Sequence, residues 1–213
     1  MNREHVKKIL RFYYITDDRV SNFPPAEQVR IAIQGGATLI QYRNKSFSSD
    51  RYLEELVLIR EICKNAGIPL IVNDNIVLAM QTMADGVHLG QEDAPPSEAR
   101  KMMGKDAIVG ATVSNLEELA RTDLIPCDYM GTGPVFPTCT KANAKAVKGL
   151  AGFRKIAETA PVPVVAIGGI TAETAQACFE HGASGIAVIS YISRAENPAE
   201  NARKLGKICH SFG

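Results

Sequence analysis

The sequence predicts an α/β fold built from eight consecutive strand–helix units. Short apolar runs recur along the 213 residues, and helix-like segments fill the intervals between them. Several of these runs are apolar throughout, as is typical of parallel strands that are covered by helices on both faces. Right-handed crossovers of this kind can form a closed (β/α)8 barrel or an open doubly wound sheet.

The predicted elements alternate in strict order. The strands are expected at residues 12–15, 38–40, 70–72, 87–89, 107–109, 129–130, 164–167 and 186–189. The helices are expected at residues 24–34, 49–65, 75–83, 95–103, 114–121, 150–159, 171–180 and 198–209, and several begin at a Pro, Ser or Thr. No low-complexity linker interrupts the series, so we expect one domain over residues 1–213.

Polar residues follow the predicted strands rather than precede them. Asp17 follows the first strand, residues 41–45 the second, residues 73–74 the third, residues 91–93 the fourth and Thr112 the fifth. Barrel enzymes carry their catalytic residues at this end of the strands. The placement therefore favours the closed barrel, with a site at the carboxyl ends of its strands.

The composition limits the classes of partner and the compartment. The chain is 46% hydrophobic and 22% charged with a net charge of +1, which lacks the basic excess typical of nucleic-acid binders. Its five cysteines show no CxxC spacing, so neither a zinc site nor a disulfide framework is indicated. We find no signal-peptide pattern and no long apolar run. We expect a cytoplasmic protein that binds small molecules or copies of itself.

Gln41, Arg43 and Lys45 form the first candidate site. If the second strand continues through them, alternation places all three side chains on one face, toward the barrel mouth. Two cations and an amide there are suited to binding a diphosphate. The alternative is a strand end with solvated charges, which would not explain why anion ligands recur after other strands.

Asp74 and Asp93 end neighbouring units and are the candidate metal ligands, with Asn73 beside them. Magnesium prefers hard oxygen ligands and usually takes one or two carboxylates together with substrate phosphates and water. The alternative for Asp74 is that it caps the following helix.

Residues 128–141, DYMGTGPVFPTCTK, begin as a strand and end in a glycine- and proline-containing loop. Successive backbone N–H groups in such loops bind anions, and Thr138, Thr140 and Lys141 add donors and a positive charge. The alternative is a turn between two elements.

A second phosphate-binding pattern lies in the last two units, where VVAIGGI and AVIS contribute Gly169 and Ser190. Such patterns are common to many phosphate-binding barrels. This pattern therefore indicates phosphate binding without specifying a reaction.

The sequence offers no evident nucleophile–base pair. Cys139 lies in the loop, but no basic partner is visible near it. His5, His88, His181 and His210 lie in separate settings, and we interpret all four as structural or surface residues.

Taken in order, QYRNK, IVNDN, VHLGQED, GPVFPTCTK, VVAIGGI and AVIS closely resemble the thiamine-phosphate synthase family, with the match running from Tyr14 to Ile192. The resemblance implies a (β/α)8 TIM barrel. It also implies condensation of 4-amino-2-methyl-5-(diphosphooxymethyl)pyrimidine with 4-methyl-5-(2-phosphooxyethyl)thiazole, with release of diphosphate and with magnesium as cofactor.

The resemblance also implies roles for individual residues. The pyrimidine diphosphate would be held by Gln41, Arg43, Lys45, Asn73 and Lys141, of which Arg43, Lys45 and Lys141 would act in catalysis. Magnesium would be bound by Asp74 and Asp93. The thiazole phosphate would be received by Thr138, Thr140, Gly169, Ile189 and Ser190. Further substrate contacts would come from Tyr42, Asn44, Thr112 and Cys139.

The chain departs from the family pattern at two places. Gly110-Ala-Thr-Val-Ser114 stands where the family usually has Gly-x-Ser, a small residue and His, so a hydroxyl is kept at Thr112 and the His is lost. Tyr42 and Asn44 replace the commoner Leu and Glu. These departures leave the expected metal and phosphate ligands unchanged.

The mechanism implied is ionisation of the pyrimidine substrate, with the thiazole nitrogen capturing the resulting cation and no protein nucleophile. Catalysis would then rest on positioning and on electrostatic stabilisation of the leaving diphosphate. The alternatives are a thiazole tautomerase of the same superfamily and a non-catalytic phosphometabolite-binding barrel. Asp74, Asp93 and Lys141 argue against the tautomerase, which needs no diphosphate clamp.

Overall fold

Eight parallel strands form a closed barrel in the computed structural model, which describes residues 2–20, 22–45, 49–138 and 146–212. Each strand pairs with the next along the chain, and the eighth pairs with the first through Phe12 and Ile186. The (β/α)8 barrel predicted from the sequence is confirmed, and the open doubly wound sheet is excluded.

The strands are β1 Phe12–Ile15, β2 Leu39–Tyr42, β3 Leu70–Asn73, β4 Gly86–Leu89, β5 Ile108–Thr112, β6 Tyr129–Thr132, β7 Val164–Ile167 and β8 Gly185–Val188. The helices are α1 Arg3–Leu10, α2 Pro25–Gln34, α3 Ser49–Ala66, α4 Ile76–Gln81, α5 Pro96–Met103, α6 Leu116–Arg121, α7 Gly149–Thr159, α8 Ala172–Glu180, α9 Ser190–Ser193 and α10 Pro198–Ser211. Each predicted strand and helix overlaps an observed one. In the described residues, none of the helices is long and apolar enough to cross a bilayer.

Helix α1 was not predicted, and it covers the amino-terminal end of the barrel. Asn2 caps it, because its side chain accepts a hydrogen bond from the Glu4 backbone N–H at 3.1 Å. Val6 and Leu10 lie four residues apart on one helix face and are buried in the same cluster as the barrel interior. The barrel is thereby closed at one end by apolar side chains.

Alternation along the strands divides the apolar residues into two layers. Tyr13, Leu39 and Ile71 point into the barrel, whereas their neighbours Phe12 and Ile40 pack against the surrounding helices. Toward the carboxyl ends, the inward positions of several strands become polar. The same alternation that builds the core therefore directs polar side chains into the open end of the barrel.

Candidate active site

A cavity of about 640 Å³ opens at the carboxyl ends of the strands. This is the end at which the sequence predicted a site. Most of the predicted site residues line the cavity, namely Gln41, Arg43, Lys45, Asn73, Asp74, Asp93, Thr112, Thr138, Gly169, Ile189 and Ser190.

The segment after β2 brings its basic residues to one side of the cavity. Arg43 is anchored through its main chain, since its N–H donates to Thr16 Oγ1 at 2.8 Å and its carbonyl accepts from the same hydroxyl at 3.0 Å. The Lys45 backbone N–H donates to Asp18 Oδ2 at 2.9 Å. These contacts hold the segment in place and leave the side chains of Arg43 and Lys45 on the cavity wall.

Asp74 is held in a conformation that turns its carboxylate toward Lys45. Its φ is 64°, in the left-handed region that non-glycine residues adopt rarely, and its carboxylate accepts from Lys45 Nζ at 2.6 Å. The helix-cap alternative for Asp74 is wrong, because Asn75 caps α4 by accepting from the Leu78 N–H at 2.8 Å. Strained backbone of this kind is often retained at functional sites.

Asp93 lies within hydrogen-bonding distance of Asp74. Its Oδ2 accepts from the Gly90 backbone N–H at 2.6 Å. Burial and the hydrogen bond with Asp74 raise the pKa of Asp93. Burial also acts to raise the pKa of Asp74, but hydrogen bonds with Lys45 and Asp93 outweigh it and lower that pKa. Two adjacent carboxylates repel each other when both are ionised, so this corner favours a bound cation.

The opposite wall is built from backbone and small side chains. Gly168 and Gly169 have φ values of 97° and 67°, and a side chain at Gly169 would overlap the carbonyl oxygen of Pro137. The Phe136 N–H donates to the Gly168 carbonyl at 3.0 Å. The two glycines thus permit close packing of the loop that follows β6, and Ser190 begins α9 on the same wall.

A buried carboxylate ties the segment after β1 to α9. Asp17 accepts from Arg19 Nε at 3.1 Å and from Arg194 Nε at 2.9 Å. Burial acts to raise the pKa of Asp17, but the hydrogen bonds from Arg194 and Arg19 outweigh it and lower the pKa below its usual value. Arg19 also lines the cavity, so this network holds an additional cation there that no sequence motif indicated.

Two predicted substrate contacts, Tyr42 and Asn44, do not line the cavity. The Tyr42 ring packs edge-on against Tyr52 in the layer between strands and helices, and its hydroxyl donates to Glu55 at 2.6 Å. Asn44 is buried beside it and donates to the Tyr42 hydroxyl at 3.2 Å. Alternation explains this placement, since residues 42 and 44 face away from the side shared by residues 41, 43 and 45.

His88 was interpreted as structural or surface from the sequence, but it lies in the cavity. Its ring contacts the hydroxyls of Tyr129 at 3.0 Å and Thr112 at 2.9 Å. Tyr13 and Tyr129 also line the cavity floor. The available signal was the alternation in Gly86-Val-His-Leu89, where the outward residues are apolar and His88 takes an inward position.

Three predicted contacts, Cys139, Thr140 and Lys141, lie outside the described residues. Thr138, the last described residue before them, lines the cavity. Their roles therefore stay predictions from the sequence.

Comparison with known proteins identifies the family to which this chain belongs. Residues 12–192 match the family model for thiamine monophosphate synthase. A thiamine-phosphate synthase from Bacillus velezensis is 41% identical over 211 residues, covering 97% of this chain and 94% of that protein. One from Salinibacter ruber is 42% identical over 195 residues, covering 91% and 86%.

A solved structure gives the same assignment. Thiamine phosphate pyrophosphorylase from Pyrococcus furiosus superimposes with a TM-score of 0.86 at 38% identity, covering 97% of this chain and 98% of that one. The chain therefore belongs to the thiamine monophosphate synthase family, whose members are transferases of thiamine biosynthesis.

Proposed function

We propose that the two walls of the cavity hold the two substrates of thiamine-phosphate synthesis in fixed places. The pyrimidine diphosphate binds on the side of β2, β3 and β4, and the thiazole phosphate binds on the side of β7 and β8. The observation that carries this proposal is that the Lys45 ammonium meets a pair of adjacent carboxylates, Asp74 and Asp93, at one wall of a single cavity.

Asp74 and Asp93 are the residues that would hold magnesium. The fit rests on their contact, since two neighbouring carboxylates supply the hard oxygen ligands that magnesium prefers. In the described residues, no third acidic, His or Cys side chain completes a metal cluster, which suits an ion that takes its other ligands from substrate phosphate and water. When bound, the ion supplies positive charge that stabilises diphosphate as a leaving group.

The protein's own cations act on the same leaving group. Arg43 and Lys45 line the cavity wall, and the family resemblance adds Lys141 to them. Their charges stabilise the negative charge that develops as the bond from the pyrimidine methylene carbon to diphosphate breaks. Gln41 and Asn73 position the substrate beside them. The thiazole nitrogen then forms the new bond to the methylene carbon.

This scheme requires no protein nucleophile, and the described cysteines suit that requirement. Burial raises the pKa of each of these thiols to about 12, which keeps them protonated and unreactive near neutral pH. They are Cys63, Cys127, Cys178 and Cys209.

The thiazole phosphate is anchored by backbone and hydroxyl groups instead of a charged clamp. Gly169, Ile189 and Ser190 line this wall together with Thr138, and the family resemblance adds Thr140 to this set. We also propose that residues 1–213 work as a single barrel domain in the cytoplasm, alone or as a homo-oligomer, on small molecules and without nucleic-acid or membrane partners.

A reconstituted assay tests the function directly. Purified protein is incubated with both substrates and magnesium, and thiamine phosphate and diphosphate are measured by chromatography. Equimolar formation of both products, dependent on each substrate, supports the proposal. Turnover of a thiazole carboxylate phosphate alone would instead indicate a tautomerase, and binding of the phosphates without turnover would indicate a non-catalytic barrel.

A further inference from the structure

A continuous chain of hydrogen bonds crosses the floor of the cavity. Gln41 Nε2 contacts the Tyr13 hydroxyl at 2.5 Å, and the Tyr13 and Tyr129 hydroxyls are 2.8 Å apart. The Tyr129 hydroxyl lies 3.0 Å from His88 Nδ1, and His88 Nε2 lies 2.9 Å from Thr112 Oγ1. Side chains from five strands, β1, β2, β4, β5 and β6, are thereby linked.

The amide at one end gives the chain a direction. An amide nitrogen can only donate, so the Tyr13 hydroxyl accepts from Gln41. Either hydroxyl of the Tyr13–Tyr129 pair can be the donor, and a chain that continues in the direction set by Gln41 has Tyr13 donating to Tyr129. In this direction Tyr129 donates to His88 Nδ1, and Nδ1 is then the unprotonated ring nitrogen. His88 then carries its hydrogen on Nε2 and donates it to Thr112. The Thr112 hydroxyl, which already accepts, has its own hydrogen left to donate.

The packing around the chain holds its rings in place. Tyr13 and Tyr129 are almost completely buried and meet edge-on, with ring centroids 5.9 Å apart. A side chain at Gly110 would overlap the Tyr129 ring, so this glycine in β5 makes room for it. A Cβ at Gly131 would lie 3.4 Å from His88 Cε1, which leaves the imidazole closely enclosed.

Burial also keeps the two phenols of this hydrogen-bond chain protonated. It raises the pKa of Tyr13 and of Tyr129 well above the usual value, so both phenols retain their hydrogens throughout the neutral range. Each hydroxyl can therefore accept one hydrogen bond and donate the next. Hydrogen bonds in series also polarise one another in a low-dielectric interior, which strengthens the terminal donor.

We propose that Tyr13, Tyr129 and His88 are positioning residues that make Thr112 a directed hydrogen-bond donor to a lone pair on the bound heteroaromatic substrate. The ligand group selected is an unprotonated ring nitrogen, and a ring N–H at the same place would face the Thr112 hydrogen. This assignment rests on the proposed function for the identity of the substrate. The direction of the chain rests on the free protein alone.

Nitrogen NMR of the ligand-free protein tests that direction. The four histidines are labelled with ¹⁵N, and the His88 signals are assigned by their loss in His88→Gln. Two-bond ¹H–¹⁵N correlations distinguish the tautomers. We expect the Nε2–H form in the wild type, and a predominant Nδ1–H form would overturn the proposal by reversing every donor.

Tyr129→Phe breaks the chain without removing the ring. We expect a mixture of His88 tautomers and about a tenfold rise in the KM of the pyrimidine substrate, with the thiazole KM unchanged. Tyr14→Phe is the matched control, because Tyr14 is equally buried but donates to Gln28 outside the cavity at 2.8 Å. An equal change of His88 tautomer in the control would show a general structural effect and contradict the proposal.

The two proposals can fail separately. If the wild-type protein makes no thiamine phosphate but His88 is the Nε2–H tautomer, the proposed function is wrong and the direction of the hydrogen-bond chain is supported. A protein that is active but shows the Nδ1–H tautomer would mean the opposite. Because the wild-type tautomer is decisive, the test holds even if Tyr129→Phe does not fold.

Discussion

The two walls of the cavity differ in how they present groups to an anion. On the side of β2, β3 and β4, long charged side chains meet, with Lys45 and Asp74 in an ion pair of 2.6 Å. On the side of β7 and β8, glycines, Ile189 and Ser190 form the wall. Lys45 and Asp74 can exchange their contact for a metal or a phosphate, whereas the other wall is held by backbone packing.

This difference matches two different tasks. A leaving diphosphate gains charge during the reaction, so it needs cations whose interaction strengthens in the transition state. A phosphate that only anchors its substrate needs the same contacts before and after the reaction, which backbone and hydroxyl donors provide. We therefore expect damage to the first wall to lower kcat and damage to the second to raise KM.

The largest expected effect is at Lys45. Lys45→Ala removes a preorganised cation from the leaving group, so kcat should fall by about 10²–10³ while the thiazole KM stays nearly constant. Steady-state kinetics with each substrate varied in turn measures both quantities. Lys207→Ala, on the exposed surface of α10, is the control and should retain full activity.

Asp74→Asn should reduce activity by about 100-fold at low magnesium and raise the magnesium concentration needed for half-maximal rate. The amide keeps the shape of the carboxylate but weakens the metal site. A magnesium titration of the initial rate measures the shift. Asp106→Asn, at an exposed position outside the cavity, is the control, and an unchanged magnesium dependence in Asp74→Asn would remove the metal assignment.

Gly169→Ala tests the wall on the side of β7 and β8. The new methyl group would overlap the Pro137 carbonyl at a φ of 67°, and strain of roughly 1–3 kcal/mol should raise the thiazole KM about 10- to 100-fold. Gly67→Ala is a close control, since its φ is 68° but nothing lies within 4 Å of the added carbon. If both variants lose thiazole affinity equally, the effect is general backbone strain and not a local one.

Ser190→Ala should have a smaller effect, raising the thiazole KM about tenfold with kcat largely kept. The hydroxyl is one of several contacts to a phosphate that does not react, so its loss weakens uniform binding. Initial rates over a range of thiazole phosphate concentrations check this. A fall in kcat without a change in KM would reassign Ser190 to the reacting end.

The smallest effect is expected for Thr112→Ser. Serine keeps the hydroxyl that the family usually carries, so activity should change by less than about threefold, while Thr112→Val should lose about tenfold because it keeps the shape and removes the hydrogen bond. The ratio of kcat/KM for the wild type and Thr112→Val measures the hydroxyl alone, because the two side chains have the same shape. Equal activity of Thr112→Val and wild type would show that the hydroxyl takes no part.

Much of the fold could be predicted from local sequence pattern. Strands that are buried on both faces are continuous apolar runs, and the polar residues that follow them indicated the position of the site. Helix α1 is not evident from the sequence, because it is short, largely charged or polar, and buries only Val6 and Leu10. What α1 packs against, the barrel interior, is assembled from strands far away in the chain. The pattern of a short amphipathic helix does not reveal that partner.

The site shows the same division between local and distant information. Alternation correctly set Gln41, Arg43 and Lys45 on the cavity side, and the same rule places Tyr42 and Asn44 on the other. The inward position of His88 follows from local alternation, but its two partners come from β5 and β6, at sequence separations of 24 and 41 residues. Such contacts depend on strand order in the closed barrel, which no single stretch of sequence contains.

The central claim is that the reacting diphosphate and the anchoring phosphate occupy opposite walls. A crystal structure of the protein with thiamine phosphate, diphosphate and magnesium tests it most directly. We predict the diphosphate against Arg43 and Lys45 with magnesium on Asp74 and Asp93, and the phosphate monoester against Gly169 and Ser190. Diphosphate bound at Gly169 and Ser190, or a metal without contact to either aspartate, would contradict the account.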